Sequence, residues 1–101
     1  MAQFDVYVNE NRETQTFIPF FVDVQSEVLA SLNTRMVIPL ANDITGLAKL
    51  NPEFIIENQK VILLTQDMVS VPIDRLRRSV DTLLGQRDEI IRAIDFMLVG
   101  F

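Results

Sequence analysis

Apolar residues change their spacing along this chain, and the change separates a region of short strands from a terminal helix. Between residues 86 and 101 the apolar positions recur at the helical period, which predicts an amphipathic helix from Gln86 to Phe101. Gly100 stands near its end, where glycine adopts the left-handed cap conformation without steric cost. Phe96 and Val99 lie off the apolar stripe, so we expect a second subunit or a partner to cover them. The stripe itself consists of Ile90, Ile94, Met97, Leu98 and Phe101.

Two runs near the start of the chain have strand character. Gln3 to Val8 alternates between two faces, which predicts a half-buried strand with Tyr7 facing outward. Thr16 to Val24 is a continuous apolar run, rich in aromatic and β-branched residues, and it also favours a strand. Pro19 has no N–H to donate, so we expect a bulge or a sheet edge at that position.

Further strands are predicted in the middle of the chain. Arg35 to Leu40 forms one, and we expect Pro39 to end its regular pairing. Met68 to Ile73 forms a last short strand, after which the apolar spacing of Asp74 to Leu84 is roughly helical.

A hairpin is predicted between these two strands. Phe54–Glu57 and Lys60–Leu64 are apolar runs that flank Asn58 and Gln59, a two-residue turn. Short strands followed by one helix indicate a mainly β fold with a C-terminal α-helix, built as a small antiparallel barrel or a sheet capped by the helix.

Composition bounds the class of protein. The chain has 101 residues, 49% of them hydrophobic, which suits a single domain over residues 1–101 with a small core, and we expect a homodimer. A net charge of −5 argues against direct nucleic-acid binding, which normally needs a basic face. With no long apolar run and no basic N-terminal region, we expect no membrane span and no ordinary secretion. The lack of cysteine fits the cytoplasm.

The residue types also limit the chemistry. Without cysteine and histidine there is no thiolate nucleophile, no histidine base and no zinc site of the usual ligands. The glycines are isolated, so there is no glycine-rich phosphate loop. Carboxylates, arginines and hydroxyls remain, and these groups cleave RNA in some folds, so an enzyme is not excluded.

Four stretches, taken in order, resemble the CcdB family of plasmid and chromosomal toxins. They are Phe21–Ser26, with the sequence FVDVQS, then Arg35–Leu40, Met68–Pro72 and Ile90–Gly100. The resemblance covers essentially the whole chain. It implies a cytoplasmic homodimer with a small SH3-like antiparallel β-barrel, of the kind that MazF and Kid share, and a C-terminal helix.

The resemblance also implies a function that needs binding and no catalysis or cofactor. CcdB toxins bind the A subunit of DNA gyrase and trap the gyrase–cleaved-DNA complex, and a CcdA antitoxin neutralises them. Carried over to this chain, the gyrase contacts fall on the segment after the FVDVQS stretch and on the C-terminal end. They are Val28, Leu29, Asp95, Leu98, Val99, Gly100 and Phe101.

One departure from the family concerns the last residues. The best-known member ends in Trp-Gly-Ile, where this chain has Val99, Gly100 and Phe101. A tryptophan face is suited to stacking on an arginine, and valine does not supply that contact. Either Phe101 or Phe96 takes its place, or gyrase binding is weaker.

Two alternatives stay open beside the gyrase poison. One is an endoribonuclease toxin of the MazF or Kid type, for which Arg35 and Asp23 are candidate residues, although no spacing singles them out. The other is a non-toxic relative that is retained only for antitoxin binding.

Overall fold

An antiparallel sheet of seven strands forms most of the structure, a computed structural model that describes residues 2–100. Its order is β4-β5-β3-β2-β1-β7, and β6 pairs with β3 beside that path. This confirms the prediction of a mainly β fold. The strands are β1 Asp5–Val8, β2 Phe20–Asp23, β3 Thr34–Ala41, β4 Glu53–Ile56, β5 Gln59–Leu63, β6 Val69–Pro72 and β7 Ser79–Thr82.

The long strand β3 bends the sheet into a half-barrel. One of its edges pairs with β2, from Leu40 opposite Phe20 to Val37 opposite Asp23. Its other edge is shared, because β6 pairs with the first half of β3 and β5 with the last two residues. The expectation that Pro39 ends regular pairing is wrong, since β3 continues to Ala41. Pro39 lies where the partner changes from β6 to β5, so its missing N–H is tolerated there.

One helix, α1, runs from Arg87 to Val99 and covers one face of the sheet. Ile90 and Ala93 are fully buried, in the same core as Phe4 and Val22, and Ile94 packs against that core. Gly100 ends the helix in the left-handed conformation with a φ of 81°, and its N–H donates to the Phe96 carbonyl at 2.8 Å. The prediction of a C-terminal helix capped by glycine is therefore confirmed.

A smaller core lies in a second apolar cluster. Tyr7, Val37 and Leu76 are buried together, with Phe21 and Val71 packed against them. The expectation that Tyr7 faces outward is wrong, because it packs with Leu76, which follows the short helical turn Ile73–Arg75. Period-two alternation gave the correct two faces of β1, but it did not reveal that both faces are covered.

Three other elements differ from the prediction. The strand expected from Thr16 to Val24 spans only Phe20–Asp23, because the N–H groups of Phe17 and Ile18 bond the Thr14 carbonyl in a turn. The connector Asp74–Leu84, expected to be partly helical, contains strand β7, which pairs with β1 at the edge of the sheet. The hairpin between β4 and β5 turns at Glu57 and Asn58, one residue earlier than predicted. Both residues have positive φ, 48° and 64°, which a two-residue turn that matches strand twist requires.

Short 3₁₀ turns connect several of the strands and the helix. Glu27–Leu29 lies between β2 and β3, and Leu84–Gln86 leads into α1. Thr65–Asp67 and Ile73–Arg75 flank β6. In the part of the chain that the structure describes, none of the helices has the length and apolar character needed to cross a membrane.

A pair of neighbouring isoleucines in α1 tests the assignment of the core face. Ile90→Ala should destabilise the protein by about 2–5 kcal/mol, because the side chain is fully buried and its removal leaves a cavity. Ile91→Ala, at a position that is 44% exposed, should change the free energy of unfolding by no more than about 1 kcal/mol. Urea denaturation measures both, and equal losses would show that the core face of α1 is misassigned.

Candidate functional site

The last turn of α1 presents apolar side chains to solvent. Leu98 is 71% exposed and Val99 is 57% exposed, although the spacing of the stripe placed Leu98 on the core face. Asp95 and Gly100 are also exposed. The helix therefore carries its apolar stripe past the end of the core, and four of the predicted contact residues lie together at this end. Phe101, the fifth, lies outside the described residues.

The turn after β2 forms a second exposed apolar group. Val28 is 89% exposed and Leu29 is 47% exposed, both in the 3₁₀ turn Glu27–Leu29. Ser26 caps this turn, since its Oγ accepts a hydrogen bond from the Val28 N–H at 3.2 Å. Short polar side chains favour this position because they satisfy a backbone N–H that has no partner within the turn.

The two exposed groups come from different parts of the chain. Within residues 2–100, no hydrogen bond or ion pair joins the Glu27–Leu29 turn to the segment Asp95–Gly100. Each group is instead tied to its own surroundings: the turn to β3 through Gln25, and α1 to the core through Ile90 and Ala93. The predicted contact residues thus form two exposed apolar groups on one scaffold.

A groove of about 450 Å³ lies beside the second half of α1. Phe96 lines it and is half-buried, so the chain itself supplies part of the cover that we expected from a partner. Opposite charges from Lys49, Arg92, Glu89 and Asp95 balance around the groove. Sequence patterns did not predict it, because one wall is the irregular segment 48–52.

Asp23 and Arg35, the candidates for RNA cleavage, are brought together as a buried ion pair. Arg35 Nε donates a hydrogen bond to Oδ2 of Asp23 at 2.8 Å, and Arg35 Nη2 lies 2.7 Å from the same oxygen. The Asp23 carboxylate also accepts from the Gln25 N–H at 3.0 Å. Both side chains are fully or almost fully buried.

The electrostatics of this pair follow from its burial. Burial raises the pKa of the Asp23 carboxyl, while the hydrogen bonds from Arg35 and from the Gln25 N–H oppose that rise. Burial also raises the pKa of the Tyr7 phenol, and the nearby carboxylates of Asp5 and Asp23 add to the effect. A pair this deeply buried has no access to a ribose hydroxyl or a phosphate, so it is placed for a structural role and not for RNA cleavage.

The described residues offer no metal centre. Nowhere between residues 2 and 100 do three or more aspartate or glutamate side chains come close enough to hold a metal ion. At the predicted contact residues the surface instead offers apolar contact area, on the Glu27–Leu29 turn and on the last turn of α1.

The architecture defines the class: an antiparallel half-barrel with one C-terminal helix, which is the MazF-like fold. The structure is similar to that of the Mycobacterium tuberculosis toxin MazF-mt6, with a TM-score of 0.74, covering 93% of this chain and 95% of that one. The sequences are only 17% identical, so this likeness concerns the fold alone.

The family follows from the sequence match. The family model of the CcdB protein matches residues 3–100, and the chain belongs to the CcdB family. Toxins of this family are gyrase poisons and not enzymes.

The buried ion pair gives a testable consequence for stability. Asp23→Ala should destabilise the protein by about 3–5 kcal/mol, because it leaves the Arg35 guanidinium buried without its partner. Replacing both, with Asp23→Leu and Arg35→Met, should recover most of that loss, since no buried charge remains. Urea denaturation measures the three variants.

A surface pair provides the control. Glu53 and Lys60 lie 3.9 Å apart on β4 and β5, and both are exposed. Glu53→Ala should therefore cost less than about 1 kcal/mol. If Asp23→Ala were as mild as Glu53→Ala, the ion pair would not carry the stability that its burial implies.

Proposed function

We propose that this protein is the toxin of a type II toxin–antitoxin system that binds the A subunit of DNA gyrase and traps the gyrase–cleaved-DNA complex. A trapped complex blocks replication and transcription. The observation that carries the proposal is the match of the CcdB family model over residues 3–100, which spans both exposed apolar groups up to Gly100.

The exposed groups supply what binding by contact needs. Val28, Leu98 and Val99 hold apolar surface in water, and covering that surface with a partner releases about 25 cal/mol for each Å² buried. Because α1 is capped at Gly100 and the turn is capped at Ser26, both groups sit on ordered backbone, which lowers the entropy lost on binding.

Trapping requires no reaction by the toxin itself. A ligand shifts a conformational equilibrium by the difference in its affinity for the two states. A toxin that binds gyrase more tightly with the DNA cleaved than with the DNA sealed therefore accumulates the cleaved state. The proposed mechanism needs only a surface that fits the cleaved conformation.

The partners follow from the same proposal. A CcdA-like antitoxin neutralises the toxin, and the toxin acts as a homodimer in the cytoplasm. The small core that 101 residues can form supports self-association.

The endoribonuclease alternative has no observation in its favour. Its candidate residues, Asp23 and Arg35, face each other in the interior and not a groove. The likeness to MazF-mt6 concerns the fold alone at 17% identity. The non-toxic alternative differs from our proposal in one measurable respect, namely that the protein would bind an antitoxin without acting on gyrase.

The proposed function is tested with purified protein, gyrase, ATP and supercoiled plasmid. We expect linear DNA with gyrase covalently attached, as a trapped complex yields after denaturation. The double substitution Leu98→Ser, Val99→Ser should reduce the yield at least tenfold, because it removes apolar contact area at a proposed hot spot, where truncation costs about 2 kcal/mol or more. Val99→Trp should increase the yield if the family's stacking contact is available.

Ile55→Ser is the matched control for these substitutions. Ile55 is 65% exposed on β4, the edge strand, and belongs to neither apolar group. It should leave the yield of linear DNA unchanged. Full trapping by the Leu98 and Val99 double variant, or no trapping by the unmodified protein, would contradict the proposal.

Self-association is a separate prediction. Sedimentation at micromolar concentration should show a dimer, because the small core of a 101-residue domain is often completed by self-association, while Val28, Leu98 and Val99 stay exposed for gyrase. The double variant Leu98→Ser, Val99→Ser should remain a dimer, because it changes the proposed gyrase contact and not the contact between the two copies. A stable monomer of the unmodified protein at that concentration would contradict the homodimer.

A further inference from the structure

We propose that Gln25 is a positioning residue that holds the Glu27–Leu29 turn, and with it the exposed Val28 side chain, in the orientation in which it meets gyrase. This inference rests on the proposed function, because it assigns a role in that same contact. It concerns a buried side chain that does not itself touch the partner.

Every polar group of Gln25 is engaged. Its N–H donates to Asp23 and its carbonyl accepts from Arg35. Its side-chain carbonyl accepts from the Met36 N–H at 3.0 Å, and its side-chain amide donates to the Leu29 and Thr34 carbonyls, each at 3.1 Å. These five hydrogen bonds leave the residue only 7% exposed.

The side chain of Gln25 replaces backbone pairing where β2 leaves β3. The ladder between the two strands runs as far as Asp23 opposite Val37, and the Val24 N–H still donates to the Met36 carbonyl. Beyond that point the chain turns away towards Val28. The Gln25 side chain then spans the gap, because it bonds β3 on one side and the Leu29 carbonyl on the other.

A second tether holds the turn from Glu27. Its carboxylate accepts from the Gln3 N–H at 2.5 Å and lies 3.6 Å from Arg35 Nη2. Because the same Arg35 also bonds Asp23 and the Gln25 carbonyl, the turn is connected to the buried ion pair along two routes. The Glu27 carboxylate is half-exposed, so water competes for its hydrogen bonds. The amide of Gln25 is buried, so its hydrogen bonds hold the turn with less competition from water.

The consequence is a valine that is exposed but held in place. An exposed apolar side chain on a mobile loop loses conformational freedom when a partner orders it, and that loss weakens binding. Val28, 89% exposed, stands on a turn whose backbone is already ordered by Gln25 and Ser26. Loosening the turn should therefore weaken gyrase binding even though every contact side chain remains.

The experiment uses Gln25→Glu, which keeps the length of the side chain but removes both donations, to Leu29 and to Thr34. The matched control is Asn51→Asp. Asn51 is also a buried amide that accepts from one backbone N–H, of Leu47, and donates twice, to Leu63 and Gln66, but it serves a different segment. If Gln25→Glu does not fold, the uncharged variant Gln25→Met takes its place.

The first readout is the backbone order of the turn, which needs no gyrase. In Gln25→Glu, the ¹⁵N order parameters of Glu27, Val28 and Leu29 should fall from about 0.85 to below about 0.6. In Asn51→Asp they should stay unchanged. Order parameters that do not fall in the Gln25 variant would overturn the inference.

The second readout is the affinity for the gyrase A subunit, measured in a double-mutant cycle with Val28→Ser. Gln25→Glu and Val28→Ser should each weaken binding about tenfold, and the double variant should be only slightly weaker than either, because both act through one contact. Asn51→Asp combined with Val28→Ser should be additive. Additive losses for Gln25 would show a general effect on the fold and would overturn the inference.

The two readouts separate the inference from the proposed function. If the unmodified protein did not bind gyrase, the proposed function would fail, and the inferred role of Gln25 at the gyrase contact would fail with it. The order parameters would still decide whether Gln25 holds the turn. If the protein bound gyrase and the cycle were additive, only the inference would fail.

Discussion

Burying a carboxylate or a guanidinium without an oppositely charged partner costs much free energy. The pairing of Asp23 with Arg35 is therefore the constraint around which the centre of the structure is arranged. The two residues lie on the neighbouring strands β2 and β3, and Arg35 reaches Asp23 across them. A slip of one residue between these strands would move the two side chains to opposite faces of the sheet and leave a buried charge without its partner, at several kcal/mol. The ion pair therefore favours one register at the centre of the sheet. Arg35 also contacts the Gln25 carbonyl and the Glu27 carboxylate, and these contacts connect the ion pair to the exposed turn.

The two exposed apolar groups lie where α1 and the turn after β2 extend beyond the core. Helix α1 buries Ile90 and Ala93 and then continues past the core, which leaves Leu98 and Val99 in water. The turn after β2 similarly leaves the sheet before Val28. In both places a capping residue, Ser26 or Gly100, holds the backbone, so the exposed apolar side chains stand on ordered segments. A surface of this kind suits a toxin that acts by recognising one conformation of its target.

Much of the fold follows from local patterns, and the failures have physical causes. The helix and its glycine cap were predictable because spacing and conformational preference are local properties. The burial of Tyr7 and the pairing of β7 with β1 were not, since both depend on which distant segment covers a face or completes an edge. Leu98 shows the converse case: periodicity gives the face of a helix but not the point at which the core ends.

The candidate site was predicted only through the resemblance to a family. Val28 carries no chemical signal by which a sequence would mark it as a contact. Val99 was marked only as a position off the apolar stripe that a second subunit or a partner would cover. Asp23 did carry one, a charge within an apolar run, but its partner lies twelve residues away on another strand. The role of Gln25 was not visible at all, because its side chain bonds backbone groups of two segments, the Glu27–Leu29 turn and β3.

The central claim is that gyrase meets this protein on the two exposed apolar groups. Methyl NMR of the protein, labelled at valine, leucine and isoleucine and titrated with purified gyrase A subunit, tests it most directly. We expect the signals of Val28, Leu29, Leu98 and Val99 to shift or broaden, while those of the buried Val22 and the exposed Ile55 stay unchanged. Changes centred on Ile55, with those four residues unaffected, would contradict the account.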